Sequence, residues 1–352
     1  MGSSENSKWL FSANIDISLF LGSFLLSLLA IVLGARFYQD TPEWLWVGAI
    51  LFVDVAHVYS TAFRVYFDKE ELKERAWLYL SVPLLAYIVG LALYSESEML
   101  FWRVLAYLAV FHFVRQQYGW IALYRAKQKE QSKVGYWIDT CTIYAATIYP
   151  LVYWHTHLPR KFAWFLQGDF SPLPLLVDQF LRPLYWLLLL TYLIRSIYKW
   201  FVGEGNPGKD IVTITTAFCW YVGIVYLDSD YTFTATNIFI HGIPYLGLIY
   251  FYSCKRAERD DRVGQYYRKF FSVGPIAFLI VLWFFAYVEE MWWDKIVWQE
   301  REWLFGKPLE ASFSLPLLKF WLIPLLALPQ ACHYILDGFI WKRRHRLFLF
   351  LF

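Results

Sequence analysis

The stretch "VDVAHVYSTAFRVYFD", residues 53–68, sets Asp54 and His57 three residues apart inside an apolar run. On a helix that spacing puts a carboxylate and an imidazole on one face, where leucine would meet the same hydrophobic demand. Three further apolar runs repeat the pairing: Gln116 lies four residues after His112, Asn237 four before His241, and Asp337 four after His333. Ionisable side chains inside a bilayer are costly and mark function by default. Four imidazoles with two carboxylates are best suited to binding a metal. In such a site one ring nitrogen takes the metal and the other donates to an oxygen that fixes the tautomer. His57, His112, His241 and His333 are the expected ligands, while Asp54 and Asp337 complete the shell or orient the rings. The donor set suits iron, one ion or a pair, with zinc and copper as alternatives. Thiolate-selected metals need cysteine, and Cys332, next to His333, points about 100° away on a helix. Arg115 and Gln116, in "HFVRQQYGW", are expected to border a substrate cavity. Arg115 suits the acidic head of a lipid-like substrate, and snorkelling to headgroups would use it equally well.

The elements that carry these groups read as membrane spans. A chain of 352 residues with 59% hydrophobic, 22% aromatic and only 17% charged residues, and a mean hydropathy of +0.38, lies outside the range of soluble domains. About ten apolar stretches are long enough to cross a bilayer: 15–35, 43–65, 77–95, 99–124, 135–157, 173–201, 210–227, 231–252, 271–292 and 314–341. The expected fold is an all-α polytopic bundle forming a single transmembrane domain over 1–352, in a plasma or inner membrane. Roughly twenty Lys and Arg lie after the even-numbered stretches and about six after the odd ones. This alternation predicts that both termini are cytoplasmic. All four histidines then sit on helices that run the same way, between their middles and their cytoplasmic thirds. At a rise of about 1.5 Å per residue they can share one layer.

Other features read more plainly. His155 and His157, in "YWHTHLPRKF", end the fifth stretch on the opposite face and cannot join the four. His345, in "KRRHR", reads as a headgroup contact. Asp178 and Arg182 form an i, i+4 structural pair, and solvation is the simplest account of Glu289 and Glu290. The four cysteines lack CxxC spacing and are expected to be free. The Met-Gly start lacks the Ser or Thr at position six that myristoylation prefers. A net charge of +3 is explained by the basic loops and calls for no nucleic-acid partner. The abundant Trp and Tyr suit interfacial belts and close packing, or walls around a long apolar ligand.

Gly242, Pro244 and Gly247 follow His241, and Pro324 and Pro329 precede His333, so two of the ligand-bearing helices carry breakers near the site. Walker A, GxGxxG, GxSxG, CxxCH and the clustered histidine boxes of membrane di-iron desaturases are absent. Single histidines spread over transmembrane helices also occur in integral-membrane carotenoid-cleaving oxygenases, an analogy of ligand type with no contiguous motif behind it. The leading expectation is a metalloenzyme, an iron-dependent oxidoreductase or oxygenase, acting on a lipidic or polyene substrate that enters from the bilayer among the membrane lipids. A proton- or ion-coupled transporter using the same His and Asp residues as a relay is the alternative. It needs polar groups reaching both faces, and the non-cytoplasmic halves of the second, eighth and tenth stretches read as too apolar. A third reading is a structural subunit with no chemistry.

Overall fold

Apolar runs closed by capping residues give helices throughout. The computed structural model describes residues 8–309 and 315–341, and every regular element among them is helical. In chain order these are α1 (Ala13–Gly34), α2 (Glu43–Arg64), α3 (Lys69–Glu74), α4 (Ala76–Glu96), α5 (Glu98–Lys127), α6 (Lys133–Thr156) and α7 (Leu175–Phe201). There follow α8 (Pro207–Trp220, continued by Tyr221–Tyr226), α9 (Asp230–Ala257), α10 (Arg262–Phe271), α11 (Pro275–Trp298), α12 (Glu302–Phe305), α13 (Leu315–Leu326) and α14 (Leu328–Ile340). Start signals in the sequence are used as such. Ser12, Asp68, Ser132, Asn206 and Asp261 each accept a backbone N–H in the first turn of the helix they precede, and Pro207 and Pro275 open theirs.

Six helices are long and apolar enough to cross a membrane, which fits a membrane protein: α1, α2, α4, α7, α11 and the α13–α14 pair over Leu317–Ile340. Exposed apolar side chains run along them, as with Leu25, Leu29 and Val32 on α1 and Leu80, Leu84 and Ile88 on α4. The N-terminal Met-Gly pair and His345 lie outside the described residues. Cys141, Cys219, Cys254 and Cys332 are free thiols, as expected.

Chain contacts divide the protein into two units, one of residues 1–49 and 113–244, the other of 50–112 and 245–351, and the division falls inside α2, α5 and α9. In the first unit α6 lies against α7 and α8. Its basic connections meet at one end: Arg195 and Lys209, from the α7 and α8 ends, both bind Asp139 and Glu130, as does Arg125 of α5. Its acidic and neutral connections meet at the other, where Thr41 N–H donates to Asp230 (3.1 Å) and Lys161 N–H to Asp228 (2.9 Å). Asp178 is buried and binds Arg182 as expected, and also accepts from Tyr149 at 3.0 Å.

In the second unit α13 and α14 lie on α4, and α11 lies on α2. One end is tied by charge. Arg64 binds Glu71 (2.9 Å), and Asp68 takes Arg256 Nε (2.8 Å) and the Tyr252 hydroxyl (3.0 Å). Each unit therefore joins, at one end, loops that the charge pattern assigns to the same side of the membrane.

Glu130 supplies a pH test. Burial by itself would raise its pKa, but Lys209, with Arg125 and Arg195, holds the carboxyl below its ordinary value. A depressed carboxylate contributes stability above its unfolded pKa and loses it as pH falls through the folded value. The unfolding temperature in detergent should therefore fall as the medium is acidified below about pH 4.5. Glu130→Gln should cost about 3–5 kcal/mol at neutral pH and flatten that acid limb. An acid limb of unchanged slope in the variant would remove Glu130 from the account.

Candidate metal centre

α2 reaches the site through an unusual turn. Its Trp46–Val55 stretch is π-helical, and it returns to α-helix at Ala56, one residue before His57. Such widened turns re-aim side chains and recur at functional sites. Here Asp54 ends the widened stretch, and its Oδ1 lies 3.7 Å from His57 Nδ1. Asp54 keeps 32% of its side chain exposed while His57 is fully enclosed. His333 rides on α14, which restarts after the break at Ala327 with Pro329 in its first turn. An adjoining face of α14 sends Cys332, Leu336 and Ile340 into an apolar cluster with Val65, Tyr79 and Val82, and the thiol packs there.

His57, His112, His241 and His333 are all buried, at 2% exposure or less, and within the second unit His57, His112 and His333 bring one ligand atom each within 4.8 Å of the others. A buried three-histidine group that could hold a metal ion is thus present in the second unit, and His241 lies buried in the first. Adjacent nitrogens on a metal with bonds of about 2.1 Å stand about 3.0–3.4 Å apart, and opposed ones about 4.2 Å. His112 Nε2 and His333 Nε2 are 3.1 Å apart, within the range for adjacent ligands.

Hydrogen-bond direction gives a sharper test. The Tyr245 hydroxyl donates to Asp337 Oδ1 at 2.5 Å. Thr61 then donates to Tyr245 (3.1 Å), and His333 Nδ1–H donates to Thr61 (2.7 Å). This chain fixes His333 with a bare Nε2. His112 Nδ1 faces the other Asp337 oxygen at 3.7 Å, which favours the same tautomer in that ring. Two bare Nε2 lone pairs then face each other at 3.1 Å, an arrangement that a cation between them would stabilise. The competing arrangement is an ordinary hydrogen bond from His112 Nε2–H to His333. It turns the lone pair of His112 Nδ1 toward a carboxylate.

The other expected residues are placed as follows. Gln116 Nε2 donates to the His241 carbonyl at 3.4 Å, and the His241 ring stacks on Phe113 with centroids 3.5 Å apart. Asn237 turns its amide to the Phe233 carbonyl (3.0 Å). Gln116 Oε1 and Asn237 Oδ1 are buried without a donor among the described residues. Arg115 is exposed, bonds the Tyr144 hydroxyl and lies over the Tyr118 ring, so its contacts are with these tyrosines. Arg64, a conceivable partner for the two Asp residues, is taken by Glu71. His155 and His157 bond carbonyls in their own helix, apart from the four.

Several functional neighbours were not expected from sequence. Thr61 and Tyr245 stand at i+4 from His57 and His241, the same-face offset that singled out Asp337, but neutral hydroxyls carry no burial signal as loud as a carboxylate. Solvation does not account for Glu289 and Glu290: both are buried, at 4% and 8% exposure. Glu289 Oε1 accepts from Trp293 Nε1 and Gln330 Nε2, each at 3.2 Å, and Glu289 also bonds the Tyr59 hydroxyl. Position at a span end told how far along the helix they lie, but not that they face inward.

His57→Ala and His333→Ala should each lower the metal content of purified protein. Thr61→Val and Tyr245→Phe cut the chain that orients His333 while leaving the ligands in place. Each should weaken metal affinity about tenfold, read by competition with a chelator. Unchanged affinity in both would mean that the hydroxyl chain does not orient a ligand. No protein-family model, no curated protein and no solved structure matches the chain.

Proposed function

We propose that the chain is a ten-span membrane metalloenzyme with both termini cytoplasmic, an iron-dependent oxidoreductase or oxygenase acting on a lipidic or polyene substrate. The observation that carries this reading is the convergence in the second unit of three buried imidazoles, two of them backed by Asp54 and Asp337, with the neighbouring Cys332 in an apolar cluster. The four long helices that fall outside the apolarity criterion, α5, α6, α8 and α9, bear His112, His241 and much of the buried polar surface. Their polar content fits spans shielded by neighbours. The loop pairing within each unit supports the even count.

Iron held there would supply oxygen activation or Lewis-acid polarisation of a substrate oxygen. The chain's own residues do the rest. Thr61 and Tyr245 hold a proton in line between His333 and Asp337. Asp337 orients His112, Asp54 orients His57, and the enclosing rings of Tyr334 and Phe113 keep bulk water from the nitrogens. Apolar outer faces on the spans favour a substrate that arrives through lipid, in a plasma or inner membrane. Arg115 and Gln116 would border its path.

Elemental analysis of protein purified in mild detergent, without chelator or His tag, tests this together with an optical spectrum. One or two irons per chain without a haem band is the expected result. Folded protein with no metal above background would end the enzyme reading.

One observation favours the relay reading. Within the second unit polar groups continue past the histidines in both directions, to Tyr59, Glu289 and Glu290 one way and to Tyr245, Asp337, Arg64 and Glu71 the other. On that reading, metal-free protein in liposomes carries protons, and Glu289→Gln reduces the flux about a hundredfold without changing the unfolding temperature. On the enzyme reading no flux is seen in either protein.

A further inference from the structure

The first unit holds a cleft of about 610 Å³ where the N-terminal approach to α1, the α5–α6 connection, the end of α7 and the start of α8 come together. All fourteen lining residues are polar or charged, with six cations against three carboxylates, an excess of three positive charges. The carboxylates are already engaged. Glu204 binds Lys199, Asp210 accepts from Tyr192 (2.7 Å) and Trp200 (2.8 Å), and Glu130 is shared by Arg195, Lys209 and Arg125.

Beneath the cleft the imbalance is built into the interior. Arg125, Arg195 and Lys209 share only Glu130 and Asp139, and every oxygen of those two carboxylates is in use. One positive charge is left over in this partly buried group at the cleft wall, and it is best met by an anion. Two helix N-termini also open on the cleft: α6, capped by Ser132, and α8, capped by Asn206. Their dipoles add positive potential at the same point. A bias of basic residues toward one side of a membrane explains why cations lie at this end of the unit. It does not explain a wholly polar concavity with surplus charge in its wall.

We propose that this cleft is a binding site for a phosphate-bearing anion of two or three negative charges, either a phospholipid headgroup or a soluble phosphate compound. Because every lining residue carries a polar or charged group, the cleft is suited to the phosphate part of the ligand. The site is independent of the histidine group and of any metal there.

Full-length protein in a neutral detergent is unfolded thermally, followed by tryptophan fluorescence, in the presence of inorganic pyrophosphate or of dioctanoyl phosphatidic acid. Sodium chloride at matched ionic strength is the control. The comparison variant is Lys129→Gln with Lys199→Gln: both are cleft residues outside the buried cluster, so the unliganded unfolding temperature should hold. A saturable rise with at least one phosphate ligand, weakened about tenfold in apparent Kd in the double variant, is the expected result. A response to pyrophosphate alone identifies a soluble ligand, and a response to phosphatidic acid alone identifies a headgroup. No rise beyond the salt control with either ligand, or an equal rise in the double variant, overturns the proposal.

Discussion

A polar group in hydrocarbon must find its partner inside the protein, because no water is there to supply one. Most of the chain obeys by being apolar outward and hydrogen-bonded along its helices. The exceptions are costly enough to need a reason. Charges near helix ends have one: Arg64 with Glu71, Arg256 with Asp68 and Arg182 with Asp178 tie neighbouring segments together. The histidines do not fit that pattern. His57, His112 and His333 meet chiefly one another and their carboxylates, and a leucine at each position would pack without any of these costs.

The same constraint explains why the hydroxyl chain matters. A neutral imidazole has one donor and one acceptor, and in a closed site both directions must be assigned consistently. Asp337 sets the direction at one end. Tyr245 and Thr61 transmit it, and His333 has no freedom left. Changing any member changes which nitrogen is bare two groups away. Histidine chemistry here is therefore a property of α2, α9 and α14 together, and no single helix encodes it.

That distinction also separates what the sequence discloses from what it hides. Helix positions follow from runs of apolar residues and their caps, as with α7, expected at 173–201 and found at Leu175–Phe201. The stretch 314–341 is instead broken into α13 and α14, 271–292 runs on as α11 to Trp298, and six helices are long and apolar enough to span a membrane. The relative heights of His57, His112 and His333 within the second unit are equally legible, because a constant rise converts sequence position into height. Rotation about the axis is harder to read. A π-helical stretch in α2 and the break at Ala327 both reset the face presented, and neither has a composition signature. Glu289 and Glu290, on α11, were misread because a place near a span end gives height and leaves the facing direction open.

The two units handle charge differently, and this says where chemistry can reside. In the first, Arg125, Glu130, Asp139, Arg195 and Lys209 gather at helix ends, where their pairing serves cohesion and a polar cleft. In the second, ionisable groups occupy successive levels from Glu290 through Asp54 and Asp337 to Glu71. A fold under selection for cohesion alone would keep such groups at its ends, since apolar packing stabilises the middle of a span at lower cost. On the proposed reading, carboxylates and imidazoles at mid-span are there for what they bind or carry. The widened turn of α2 and the proline-bearing start of α14 are the local distortions that bring them face to face.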